Sequence, residues 1–188
     1  MILLCDFLCG LCALCGQSPF AFPSCLRAFV VKNFLMFEIS PIATVHNTVP
    51  LDKEDGWGSV ISAIEFDSTR FSPDSLTGLD AFSHIEVIFL FDRVPERAIE
   101  NVARHPRENP DWPKVGIFAQ RAKSRPNRLG HTCCRLLKIE GLTLTVQGLD
   151  AFDGTPVLDI KPHFPEFAPR GPIRVPAWSS ELMQAYFD

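Results

Sequence analysis

The chain has 188 residues and a formal net charge of −4, with 46% hydrophobic and 21% charged side chains. That length suits one domain with a sizeable core, or one domain plus a small appendage. The modest charge content excludes a largely disordered chain, and 16 prolines exclude a coiled coil or any long helical repeat.

Residues 1–35 hold 24 apolar side chains and three charges, Asp6, Arg27 and Lys32. A secretory signal needs a basic start, whereas the first charge here is acidic. Residues 7–26 form an uncharged run of the length a membrane helix needs, but Gly10, Gly16, Pro19 and Pro23 interrupt it. Met36 then opens a soluble-looking strand. Residues 1–35 are therefore expected to be a hydrophobic, cysteine-rich leader outside the working domain, with membrane contact only if that leader is retained. Cys9, Cys12 and Cys15 have C-x-x-C spacing, yet no histidine or polar knuckle accompanies them, so no metal is expected. Beyond the leader only Cys133 and Cys134 remain, which fits a reducing cytoplasm.

Strand signals dominate from Met36 to about Ile160. Residues 59–66 are β-rich, and residues 85–91 are nearly continuous apolar, as in a strand covered on both faces. A short strand is expected at 116–119. Residues 131–139 and 142–149 flank Glu140-Gly141, a tight hairpin turn, and residues 142–147 alternate apolar with polar. Residues 156–160 form a last short strand. Helix is scarce: one short segment within 95–102, and a C-terminal helix capped by Ser179. The expectation is an all-β fold: a small β-barrel over 36–163, then a proline-rich tail and one short C-terminal helix over 164–188. Neither a Rossmann glycine pattern nor a P-loop is present.

Two segments carry chemistry. From Lys114 to Lys138 the chain holds seven basic residues and no acid, within an acidic protein. Phosphate-rich ligands suit such a stretch, and a solvated loop face is the plain alternative. Within it, Arg125-Pro126-Asn127 sets a forked cation and an amide in a defined relation, because proline fixes the backbone between them. The second segment, residues 150–156, contains the Asp153-Gly154 turn signal followed by Thr155-Pro156. It reads either as a structural turn or as the lining of a small-ligand pocket. The five histidines show no metal spacing; His131, bordering the basic stretch, is the best site candidate among them.

Several motifs stand in register: residues 79–84 (LDAFSH), 116–121 (GIFAQR), 125–130 (RPNRLG) and 153–162 (DGTPVLDIKP). Together they resemble the TsaA-like, or TrmO-type, tRNA methyltransferase family, over roughly residues 37–163. The resemblance implies a β-barrel that binds S-adenosylmethionine, acts as a homodimer and methylates the exocyclic nitrogen of threonylcarbamoyladenosine beside the tRNA anticodon. It implies cofactor contacts from Arg121, His131, Asp153, Gly154, Thr155 and Pro156, with Asp92 and Arg93 bordering the same pocket. Asp92 is also the candidate proton acceptor. Lys123, Arg125, Asn127 and Arg128 would bind RNA or organise the adjoining loop. The chain departs from the family where relatives carry Pro-Arg-Gln after the first strand and His-Gln after the buried strand; here stand residues 52–58 and Asp92-Arg93. A non-catalytic cofactor- or nucleotide-binding module, or a methyltransferase acting on another RNA or a small molecule, is the alternative.

Overall fold

A computed structural model describes residues 38–188. The leader and its cysteines lie outside the described residues.

Six strands close a barrel: β1 (Ala43–His46), β2 (Ile61–Phe66), β3 (His84–Leu90), β6 (Leu129–Glu140), β7 (Thr143–Gln147) and β8 (Pro156–Pro162). Two shorter strands, β4 (Ala103–Arg104) and β5 (Val115–Gly116), pair with each other inside the long β3–β6 connection. The barrel order is β1-β2-β7-β6-β3-β8, and every neighbouring pair is antiparallel. Closure leaves the six-stranded barrel sheet without a free edge.

Strand alternation builds the interior. Val45, Ile64, Ile85, Val87, Phe89, Cys134, Leu144, Val146 and Val157 are all fully buried. Each large apolar side chain so buried stabilises the fold by about 1.5–3 kcal/mol. Gly130 lies opposite Phe89 in the β3–β6 ladder, and a Cβ there would sit 2.3 Å from the Phe89 ring. The ring therefore fills the space that any other residue at 130 would claim.

Several boundaries differ from the sequence expectation. The first strand begins at Ala43, later than Met36 would suggest, since Pro41 has no N–H for a ladder and its carbonyl is taken by Arg70 at 2.7 Å. The 85–91 run is covered on one face only: Ile85, Val87 and Phe89 point inward, while Glu86, Ile88 and Leu90 are half-buried on the barrel's outside. A six-strand barrel has a single interior, so continuous hydrophobicity does not mean two covered faces. Residues 116–119 hold only the end of β5, and Ile117–Ala119 turn as a 3₁₀ segment. The helix expected within 95–102 shrinks to a 3₁₀ turn at Glu96–Ala98. The C-terminal helix α1 (Ala177–Met183) starts earlier than a Ser179 cap allows; Pro176 holds the cap position and the Ser179 hydroxyl donates to its carbonyl at 2.8 Å.

Antiparallel pairing all the way round makes β1, β3 and β7 run in one direction. The connections that follow them, residues 47–60, 91–128 and 148–155, therefore gather at one mouth of the barrel. After β8 the chain leaves from the opposite end, where the Phe164 ring meets Phe82 edge-on with centroids 5.3 Å apart. It returns to the mouth, where the amides of Gly56 and Trp57 donate to the carbonyls of Ala185 and Tyr186 at 3.0 and 2.9 Å.

Candidate active site at the barrel mouth

Backbone and side-chain hydrogen bonds hold the β7–β8 connection at the mouth. The Thr155 amide closes a turn onto the Phe152 carbonyl at 3.1 Å, and the Gly154 amide donates to Val45 at 2.8 Å. The Asn47 amide donates to the Asp153 carboxylate at 3.2 Å, with the His46 ring 3.5 Å from the same oxygen. Arg93 donates to the Asp153 carbonyl at 2.5 Å, and its guanidinium lies 6.0 Å from the Phe152 ring. Arg93 and Asp153-Gly154-Thr155-Pro156 are thus brought together. Asp92 is adjacent and exposed, and its own amide turns back to the Leu90 carbonyl at 2.8 Å.

A second group forms around Asp150. Thr132, buried on β6, donates its hydroxyl to one carboxylate oxygen, and Tyr186 donates its phenol to the other at 2.7 Å. Burial pushes the Asp150 carboxyl above its usual range, and these two hydroxyls together with the nearby Arg121 guanidinium partly offset that shift. Burial beside Asp150 also pushes the Tyr186 phenol up. Arg121 is exposed and donates one N–H to the His131 carbonyl, which leaves further donors of the guanidinium fork for a ligand.

His131 contributes to this mouth through its carbonyl. Alternation along β6 sends its ring to the outer face, opposite to Thr132, where Nε2 lies 3.0 Å from Glu86. His163 reaches the other oxygen of Glu86 at 2.9 Å. The two imidazoles, His163 first, hold the Glu86 carboxyl below its usual range.

The basic stretch is not one patch. Arg125 and Arg128 turn toward the loop itself: Arg125 donates to the Gln120 carbonyl at 2.5 Å, and Arg128 donates to Val94 at 2.8 Å. The Arg128 amide closes a turn on Arg125 at 2.9 Å, which puts Arg128 in the left-handed region at φ 52°. Asn127 sits exposed in that turn and Lys123 is exposed beside it. Arg135 and Lys138 belong to the far half of β6; at ~3.3 Å per residue, Lys138 is about 33 Å along the chain from Arg128. Lys138 pairs there with Glu140 at 2.6 Å.

Sequence reasoning missed Thr132 and Tyr186, and included Asp150 only as the first residue of the 150–156 segment. One signal was available, since Tyr186 is the single tyrosine of the chain. A cleft of about 320 Å³ lined by Ile42, Phe66, Leu76, Leu79, Phe82 and Pro162 lies at the opposite end, away from Arg93, Arg121, Asp150 and the Asp153-Gly154 turn. Among the described residues no group of His, Cys, Asp and Glu side chains is arranged to hold a metal ion, and no helix is long and apolar enough to cross a membrane.

The chain is 40% identical over 93 residues to the human tRNA (adenine(37)-N6)-methyltransferase, which covers 50% of this chain and 21% of that protein. It is 36% identical over 96 residues to the Escherichia coli protein of the same description, covering 49% and 40%. It is 38% identical over 102 residues to a "Probable S-adenosyl-L-methionine-binding protein" of Pyrococcus abyssi, covering 54% and 53%. The chain thus spans between about a fifth and about half of these relatives' lengths. A crystal structure of TrmO from Pseudomonas aeruginosa superposes with a TM-score of 0.62 at 26% identity, covering 78% of this chain and 63% of that one. The model of the tRNA-methyltransferase O N-terminal domain matches residues 44–168, and with that match over the whole barrel the chain belongs to this family.

Proposed function

We propose that the barrel binds S-adenosylmethionine at the mouth and transfers its methyl group to the exocyclic nitrogen of threonylcarbamoyladenosine next to the tRNA anticodon. The observation that carries this reading is the meeting of Arg121, Arg93, Asp150 and the Asp153-Gly154 turn at one end of the barrel. The donor set suits the cofactor: a guanidinium fork for its carboxylate, and carboxylates and turn carbonyls for its ammonium and ribose hydroxyls. When bound, S-adenosylmethionine supplies an already activated methyl on a sulfonium. Transfer would exchange that S–CH3 bond for an N–CH3 bond, and the nitrogen's proton would pass to solvent or to a carboxylate such as Asp92. The protein's task is alignment of donor and acceptor.

Lys123 and the turn around Asn127 face solvent beside this mouth, which supports them as tRNA contacts, with Arg125 and Arg128 organising the loop. His131 serves the pocket by holding Arg121 through its carbonyl. The working domain spans residues 36–163, residues 164–188 are its tail, and residues 1–35 are a leader that is not part of it. Homodimerisation is supported by apolar side chains left open to solvent, with Phe118 76% and Leu129 43% exposed. A cytoplasmic setting suits the substrate. The competing reading, a binding module without transfer, draws on the Pyrococcus relative's description and on Asp92-Arg93 replacing the family's His-Gln.

Methyl transfer from labelled S-adenosylmethionine to tRNA, with and without the threonylcarbamoyl group, tests the proposal. Label should appear only on the modified tRNA. Cofactor binding without transfer to any tRNA would favour the module.

A further inference from the structure

We propose that residues 177–188 are a reversible strap whose Tyr186 ring stands in the place of the acceptor nucleobase, and that Asp150 is the residue that anchors that base. The inference rests on the methyl-transfer reading above and assigns a base-binding group within it.

Tyr186 presents Asp150 with the two features a nucleobase would bring. Its edge donates a hydrogen bond to the half-buried carboxylate at 2.7 Å, as the exocyclic N–H of adenine would. Its ring is flanked by the Arg107 guanidinium at 5.9 Å and by the Phe187 ring, edge-on at 5.0 Å. Cationic and aromatic neighbours are the usual company of an unstacked base in a protein site. Asp150 leads into the Asp153-Gly154 turn and lies within electrostatic reach of Arg121, so a base held there would sit beside the cofactor groups. Arg107 is itself fixed by both oxygens of Asp55, at 2.9 and 2.5 Å.

The strap is lightly held. Helix α1 contains no buried residue, so it docks without an apolar face pressed into the barrel. Its polar attachments are the Gly56 and Trp57 amides and the indole of Trp112, which donates to Glu181 at 2.8 Å. The close approach of the backbones depends on Gly58, where a Cβ would fall 2.0 Å from the Phe187 carbonyl oxygen. Segments with so few buried contacts open at the low end of a protein's stability range. When Tyr186 leaves, the half-buried carboxylate loses a donor, and an incoming base N–H restores it.

The test is fluorescence anisotropy of a labelled anticodon stem-loop RNA with adenosine on the 3′ side of the anticodon, using the full chain. A strap closed nine-tenths of the time weakens apparent affinity about tenfold, so weakening its hold should recover up to that factor. Tyr186→Phe removes the phenol donor with little change in shape, and Gly58→Ala displaces the strap backbone. Both should bind the RNA roughly fivefold to tenfold more tightly than the parent, and the gain should vanish when the RNA is abasic at that adenosine. Adding Asp150→Ala to Tyr186→Phe should abolish the gain. Should Gly58→Ala fail to fold, Tyr186→Phe decides alone. Unchanged or weaker binding in Tyr186→Phe overturns the proposal, as does an equal gain with abasic RNA. Calorimetric titration of S-adenosylmethionine into the parent chain separately reports on the cofactor reading.

Discussion

Replacing Arg121 by alanine isolates the cofactor-binding claim from the fold. The side chain is exposed, and the structure gives it one hydrogen bond, to the His131 carbonyl. Losing that bond costs about 0.5–1.5 kcal/mol of stability, which shifts the melting temperature by only a few degrees in a domain of this size. Losing a charge-assisted contact to the carboxylate of S-adenosylmethionine costs more, about 1.5–3 kcal/mol, which is roughly a 10- to 150-fold rise in Kd. Arg121→Lys should recover only part of this, because a lysine supplies charge without the planar fork. Isothermal titration calorimetry gives the affinity and a thermal melt gives the stability. A further signature follows from Asp150, whose carboxyl is held down in part by the Arg121 charge; its titration, followed by carboxyl carbon NMR, should move upward in Arg121→Ala. Cofactor affinity within twofold of the parent, in a normally folded variant, would refute the placement of the cofactor carboxylate at Arg121.

Gly130→Ala places a Cβ 2.3 Å from the fully buried Phe89 ring, and should destabilise the barrel by about 1–3 kcal/mol in urea unfolding. Lys123→Ala should lower tRNA affinity and reduce the slope of log affinity against log salt by about 1, with the melting temperature unchanged. Arg125→Ala, which removes the cap on the Gln120 carbonyl, should instead lower the melting temperature. The Asp150 carboxyl titrates higher in the folded state than in the unfolded chain, so its contribution to stability is complete below the unfolded value and is lost as pH rises through the folded one. Urea midpoints measured across that window should decline less steeply with pH in Asp150→Asn than in the parent.

Local chemistry that depends on near neighbours was legible in the sequence. The strict alternation of residues 142–147 becomes β7, with Leu144 and Val146 buried and the threonines between them facing outward. The Arg125-Pro126-Asn127 constraint becomes a closed turn, and residues 153–156 become the tightly bonded rim of the mouth. The β3 reading went astray because hydrophobicity along a strand reports apolar content, while the number of covered faces depends on whether another layer packs outside. The basic stretch misled for a related reason. A strand of extended backbone separates its two ends in space however close they lie in sequence, so Lys114–Arg128 and Arg135–Lys138 cannot act on one phosphate.

His131 and Tyr186 show how far a linear reading reaches. His131 adjoins the basic segment, but strand alternation and the pull of Glu86 direct its ring outward and leave its carbonyl to hold Arg121. Tyr186 is 36 residues from Asp150 and separated from it by a proline-rich tail, so no periodicity connects them.

The sequence by itself determined the β-rich class, the hairpin, the turns and the absence of a Rossmann or P-loop pattern, because these follow from side-chain alternation and from the backbone restrictions of glycine and proline. Only the tertiary structure decided that three connections and the returning tail share one mouth, and that the carboxylate at their centre is Asp150. Six antiparallel pairings around a closed barrel set that mouth, and each pairing joins residues that no local preference could bring together.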